Sequence, residues 1–466
     1  MRMNIGWTAL LAFCLHLLAW PSLARSADES SDSPSKQAAA GDAAVASGDA
    51  TGAAQKKVTE DYELIRLFAD ALDQVERNYV KEVDRKVLVE AAIQGMMSKL
   101  DPHSNFIAPS DLEKFTSNIE NEFGGIGITV STQTGELVVT TPLYGTPAYR
   151  AGIRGGDKIS EIEGEPTKGI TIDDAIKRMK GKLGTSVKLT IIHALDGSSE
   201  TKDVPRELIR VDSVLGDSRK ADDTWNFILE EQKKIGYIRI TSFSRHTTDE
   251  LRSALQELTT QGVKGLVLDL RWNPGGLLPA AIEICDLFVA DGRIVSTAGR
   301  SIAERKWDAK KEGTFDTFPI AILVNGSSAS ASEILAACLQ DHGRAVVIGQ
   351  RTYGKGSVQN IIELDDGKSA LKLTTAGYLR PSGRNIDRKP GATPDDEWGV
   401  KPNDGFEVKL SDEEIEEFFA QRRKWEAIVA HPKDAPPPAA EPRKHDKQIQ
   451  KGLDYLQEKL AQQAAP

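Results

Sequence analysis

The stretch "VNGSSASASEILAACLQDHGRAVVIGQRTYGKGSVQ", residues 324–359, decides how the second half of the chain is read. It continues the apolar run "FPIAILV" and crowds four serines, Ser327, Ser328, Ser330 and Ser332, where that run gives way to the helical pattern "ASEILAACLQDHG". A second apolar run, "RAVVIGQ", follows. Upstream, "KIGYIRI" and "GLVLDLR" flank the helical "TTDELRSALQELTTQG". Apolar strands alternating with helices imply βαβ units around a buried sheet.

The serine cluster has a structural reading, because "SASE" from Ser330 to Glu333 fits a capping box. The same place also suits a nucleophile. A helix amino terminus offers unpaired N–H groups and the positive end of a dipole, which stabilise developing negative charge. A base must then come from elsewhere in the chain. His103, His193, His246 and His342 sit at strand ends or in polar turns, with no acidic pattern that would build a triad. Lys355 stands between Gly354 and Gly356, and Gln359 lies four residues on. In an extended segment Lys355, Ser357 and Gln359 share a face. A lysine between glycines also reads as an ordinary loop charge. A lysine base must be neutral, which costs about 4–5 kcal/mol at pH 7 from a reference pKa of about 10.4. Burial lowers a lysine by up to about 3–5 units, enough to meet that cost. An amide such as Gln359 orients the amine without adding charge.

This segment resembles the catalytic signature of the carboxy-terminal processing, or tail-specific, proteases. The resemblance implies Ser330 as nucleophile, Lys355 as general base and Gln359 as the residue orienting the amine, with Ser327, Ser328 and Ser332 as helix-start residues. "LVLDLRWNPGGLL" agrees with the same family. By itself, Pro274-Gly275-Gly276 is a tight turn after a buried strand. The family places an oxyanion-hole donor in the glycine pair and a second one after the serine. These carry to Gly276, with Gly275 as rival, and to Ala331.

Residues 121–205 form a different unit, with strands in "GIGITV", "ELVVTTPL", "GDKISEIEG" and "SVKLTIIHA" and a short helix in "TIDDAIKRMKG". "FGGIGITV" and "GTPAYRAGIRGGDKISEIEGE" resemble a PDZ domain. In such a domain a glycine loop converges N–H groups on a peptide's terminal carboxylate, and the next strand accepts the peptide as an added strand. The resemblance implies Gly124, Gly125, Ile126, Gly127 and Ile128 as carboxylate-binding residues, with Ile128 and Ile176 lining a pocket for small or apolar ends.

The rest of the chain sets the context. "MRMNIGWTALLAFCLHLLAWPSLA" has one early arginine, an apolar run and a small-residue triplet at Ser22–Ala24, the pattern of an export signal. The run is near the minimum for a membrane span, so an uncleaved anchor stays open. Either way the body is exported, to the periplasm or cell envelope. Residues 27–57 are small and polar and read as a disordered spacer. Leu64, Leu67, Phe68, Ala71, Leu72, Val75 and Tyr79 recur at helical spacing, and a second helix runs to "LDPHS". Cys14 lies in the leader, and Cys285 and Cys338 read as buried free thiols. A net charge of -10 argues against a general nucleic-acid binder.

The expected fold is multidomain α+β. Its parts are a signal or anchor (1–24), the spacer (25–57), amino-terminal helices (58–115), a PDZ domain (116–205) built as a small barrel or sandwich, an α/β protease core (206–410) and a charged helical tail with a Pro-rich break (411–466). The expected function is that of an exported serine endopeptidase acting on proteins or peptides with free carboxyl termini, with no metal or other cofactor. The rival is a non-catalytic PDZ scaffold. A homo-oligomer, an adaptor protein and membrane anchoring remain open as partners.

Overall fold

The computed structural model describes residues 48–133, 135–430 and 445–464. The leader, most of the spacer and the Pro-rich break lie outside the described residues. Two compact units are present. One comprises Pro109–Ile361 and the chain from Thr374 onward, the other the residues up to Ala108 with Ile362–Leu373.

In the smaller unit the helix Gly48–Asn78 reaches back into the expected spacer, whose last residues "GDATGAAQKK" hold good helix formers in Ala, Gln and Lys. Its Leu64, Leu67, Phe68 and Val75, and Tyr79 just beyond it, stand exposed. Asp84 caps the second helix, Arg85–Ser98, by accepting the Lys86 N–H. In the following "LDPHS" turn the Asp101 carboxylate accepts the N–H groups of His103 and Ser104. The strand Asn105–Ile107 then pairs antiparallel with Ala370–Lys372.

The larger unit begins with the segment that resembles a PDZ domain. Five antiparallel strands run in the order Ile128–Gln133, Glu136–Pro142, Lys158–Ile162, Ser186–Ile192, Ser199–Pro205. Alternation does the sorting, with Val187, Leu189 and Ile191 fully buried and Ser186 and Lys188, in alternate positions, exposed. The helix Ile172–Met179 closes one side with Ala175 and Met179, and Thr171 caps it by accepting the Asp174 N–H.

A second sheet follows in the same unit. Its strands Ile235–Ile240, Gly265–Asp269, Ile320–Val324 and Ala345–Gly349 are parallel neighbours in that order. Successive side chains point to opposite faces, and both faces are covered. Ile238, Ile240, Leu266, Leu268, Ile322 and Val347 share a core with the helices Thr247–Thr260, Leu278–Asp286 and Ala331–Asp341. Tyr237, Val267, Leu323 and Ile348 share another with Ile449, Leu453 and Leu456 of the last helix, Lys447–Ala464. The carboxy-terminal segment is therefore a layer of this fold. Cys285 and Cys338, on two helices of the first face, are free and buried.

Candidate active site

The strand Ile320–Val324 ends in the turn from Asn325 to Ala329, and Ser330 opens the helix Ala331–Asp341. Ser330 adopts φ 54°, ψ -113°, a region that side-chain-bearing residues rarely enter. Its surroundings hold it there. The Ser330 N–H donates to Glu333 Oε2 at 2.8 Å, the carboxylate half of the capping box. Ser328 and Ser332 are fully buried and work as braces. Ser328 Oγ donates to Leu270 O at 2.8 Å, and Ser332 Oγ donates to Asn273 O at 3.0 Å. The serine turn is thereby laced to the glycine turn that follows the strand Gly265–Asp269. Ser327 is exposed.

In the glycine turn, Gly275 and Gly276 have φ 101° and 150°. A Cβ at Gly276 would lie 2.1 Å from Phe243 O, so only glycine fits. Asn273 is buried and bonds in two directions. Its Nδ2 donates to Ile240 O, and its Oδ1 accepts the Gly275 N–H at 2.8 Å. The Gly275 N–H is thus occupied. Among the described residues, neither the Gly276 nor the Ala331 N–H donates to a protein acceptor.

Lys355 lies on the segment between the strands Ala345–Gly349 and Ser357–Leu364. It is 7% exposed, and its ammonium makes no hydrogen bond or ion pair among the described residues. A Cβ at Gly356 would lie 2.3 Å from the Asp387 nitrogen, and Gly354 has φ 88°. The flanking glycines therefore answer to packing. The Lys355 backbone is fastened to Glu333, whose Oε2 accepts its N–H at 2.8 Å while Oε1 accepts the Gly354 N–H at 2.7 Å and the Thr352 hydroxyl. Burial pushes the Glu333 carboxyl above the ordinary range, opposed by the bonds from Thr352, Lys355, Gly354 and Ser330. One buried carboxylate thus joins Ser330 to the lysine segment. The sequence suggested Glu333 only as a helix cap.

Gln359 is buried beside Ser357, as strand alternation requires. Its amide nitrogen donates to Ser357 Oγ at 2.9 Å and to Thr374 Oγ1 at 3.2 Å, and neither bond reaches Lys355. No hydrogen bond joins Ser330 Oγ to Lys355 Nζ, so what brings these residues together is the Glu333 bridge. The histidines are engaged elsewhere. His193 meets Asp157 and Glu200, His246 meets Glu122, and His342 meets the Arg293 carbonyl.

The glycine loop of the first sheet is equally constrained. Gly124 and Gly125 pair with Leu208 and Glu207. Gly127 has φ 77°, and a Cβ there would lie 2.4 Å from the Thr146 side chain, whose hydroxyl donates to Gly127 O. Ile126 is buried, and its carbonyl accepts the Ala148 N–H. The N–H groups of Ile126 and Gly127 have no acceptor among the described residues. Ile128–Gln133 is an edge strand, and the helix Ile172–Met179 packs beside it with Ile176 exposed. An open edge, an apolar helix face and free N–H groups at the strand's start are what an added peptide strand needs.

Three family models match the chain: peptidase family S41 over residues 234–398, the PDZ domain over 116–192, and the activating protease CtpB N-terminal domain over 28–110. A carboxy-terminal-processing protease of Bartonella bacilliformis is 39% identical over 363 residues, which span 76% of this chain and 80% of that protein. Carboxy-terminal processing protease CtpA of Bacillus subtilis is 36% identical over 334 residues, 71% of this chain and 66% of that one. The solved photosystem II D1 C-terminal processing protease is 30% identical, with a TM-score of 0.41 over 74% of this chain and 92% of that one. By its match to the Bartonella protein, with which the family models agree, the chain belongs to the carboxy-terminal processing proteases of peptidase family S41, serine-type peptidases, and carries a PDZ domain.

Proposed function

We propose that the protein is an exported endopeptidase that captures protein carboxyl termini on its PDZ domain and cleaves near them with a Ser330–Lys355 dyad. The observation that carries this reading is the Glu333 carboxylate, which bonds the backbones of both residues at one buried point beside the glycine turn. Ser330 Oγ attacks the scissile carbonyl while Lys355 Nζ takes its proton. The Gly276 and Ala331 N–H groups receive the oxyanion, each worth about 3–4 kcal/mol in comparable sites. Lys355 then returns the proton to the leaving amine, and water releases the acyl group from Ser330. Lys355 is buried, and its ammonium has no ion-pair partner among the described residues. Gln359 is the residue to orient the amine once substrate fills the site, by exchanging one of its present bonds.

The PDZ edge strand receives the substrate's tail, with the Ile126 and Gly127 N–H groups facing its carboxylate. Export rests on the leader sequence, and no described helix is long and apolar enough to cross a membrane. The test is covalent. A fluorophosphonate should label Ser330, as read by mass spectrometry, and labelling should vanish in Ser330→Ala. Lys355→Arg should be inactive although folded, because a guanidinium does not act as a base here. An active Lys355→Arg enzyme would refute the dyad.

A further inference from the structure

We propose that the helix Asp412–Glu426, which lies beyond the S41 match at 234–398, is a positioning element of the oxyanion turn, acting through Trp272. The inference rests on the reading of Gly276 as an oxyanion donor.

The turn needs holding. Within five residues Trp272, Gly275 and Gly276 take φ of 56°, 101° and 150°. For a bulky side chain such as Trp272 that backbone conformation is an outlier that persists only where surroundings impose it. Two contacts impose it here. The Trp272 N–H donates to Asn325 Oδ1 at 3.0 Å, and its ring is gripped by the helix. Phe418 stacks on it at 4.6 Å between centroids and 27° between planes, and Phe419 lies at 4.8 Å.

The same helix also secures the residue before Trp272. Arg271 is fully buried, and its guanidinium sits 4.6 Å from the Phe418 ring. Asp269 accepts from that guanidinium and from the Tyr237 hydroxyl, which in turn accepts from Arg422 of the helix. Asp446 and Gln448, at the start of the last helix, bond its remaining nitrogen. A displacement of Phe418 would therefore reach the peptide groups of Asn273 to Gly276 through Arg271 and Trp272. The far end of the helix is tied as well. The Ile428 N–H donates to Thr141 Oγ1, and the Ile428 carbonyl accepts the Gly155 N–H, so the PDZ segment holds the strap that follows the helix.

The prediction is a kcat defect without a binding defect, since an oxyanion donor acts only in the transition state. Phe418→Leu keeps an apolar side chain and removes the stacking. It should lower kcat on a small p-nitrophenyl ester by about 10- to 100-fold, below the cost of losing a donor outright. KM should stay within about two-fold, and a peptidyl aldehyde, which forms the oxyanion, should bind weaker by the same factor as kcat. Trp272→Ala, at a partly buried position, should reproduce this, and Trp272→Phe should recover most of the loss because it restores a ring. Circular dichroism melts ensure that all three variants are folded at the assay temperature. Folded Phe418→Leu with an unchanged kcat, or a loss confined to KM, overturns the inference while Ser330 labelling of the parent enzyme leaves the site reading intact. A parent enzyme that is not labelled at Ser330 overturns both.

Discussion

Replacing Glu333 by Gln removes one oxygen from a carboxylate that has only donors around it: the N–H groups of Ser330, Gly354 and Lys355 and the Thr352 hydroxyl. The new NH₂ must face two of these donors. On the Gly354 side, Thr352 can rotate but the Gly354 N–H cannot, and one orphaned buried donor costs about 1–3 kcal/mol. The two bonds that remain lose their charge assistance, about 1 kcal/mol each. Relief from burying a charge offsets about a third of this sum, leaving a net loss of about 2–3 kcal/mol. On the Ser330 side the same mismatch would loosen Ser330 and Lys355 themselves, and a misplacement of about 1 Å costs on the order of 100-fold in rate. Stability is best read by urea unfolding in the Ser330→Ala background, which prevents self-cleavage, and kcat with a small ester in the Ser330 enzyme. A Glu333→Gln protein within about 0.5 kcal/mol of its parent and within two-fold in kcat would show that this carboxylate does not hold the dyad together.

Other expectations follow from the packing and charges. Arg380 pairs with Asp341 through two bonds and, against the opposing effect of burial, holds that carboxyl below the usual aspartate range. A depressed carboxylate contributes stability that is present above its unfolded value and lost as pH falls through its folded one. The stability gap between parent and Arg380→Met should therefore be widest at neutral pH and narrow on acidification; urea midpoints measured from pH 7 to pH 3 that stay a constant distance apart would contradict this. Ending the chain before Lys447 uncovers the sheet face packed by Ile449, Leu453 and Leu456, whose burial supplies about 5–9 kcal/mol at about 1.5–3 each. That is comparable with the whole stability of a domain, so the truncated protein should fail to unfold cooperatively in thermal melts; a sharp transition near the parent's Tm would count against it. Amidating a substrate's last residue should lower kcat/KM by about 10- to 150-fold, from a charge-assisted bond of about 1.5–3 kcal/mol. Equal rates for the acid and amide forms of one peptide would show that the carboxyl end is not what the PDZ domain reads.

Much of the architecture was open to reading in one dimension because it depends on short-range periodicity. The runs "KIGYIRI", "GLVLDLR", "PIAILV" and "RAVVIG" are apolar throughout, which a strand buried on both faces requires, and all four became parallel neighbours. Ile449, Leu453 and Leu456 likewise declared a helical stripe. A stripe says that a face must be buried and is silent about what buries it, so the docking of this helix onto the second face of the sheet was not legible. The amphipathic residues of the first helix show the same limit from the other side, since Leu64, Leu67 and Phe68 stand exposed.

By itself the sequence determined the candidate residues and their local backbone. Ser330 with Glu333 marks a helix start, Gly275-Gly276 a turn, and Gly354-Lys355-Gly356 a loop without side-chain obstruction, each within a few positions of chain. Tertiary structure decided which groups are spoken for. Gly275 and Gly276 are equivalent as letters, and they differ because Asn273, itself held by Ile240, takes the N–H of one and leaves the other free. Glu333 reads as a cap in sequence and becomes a bridge to Lys355 only when the next strand returns beside the helix. Trp272 meets Phe418 across 146 residues of chain for the same reason. Hydrogen bonds and ring contacts are short-ranged, and a partner so far along the chain is brought near only by the packing of the whole sheet and its helices.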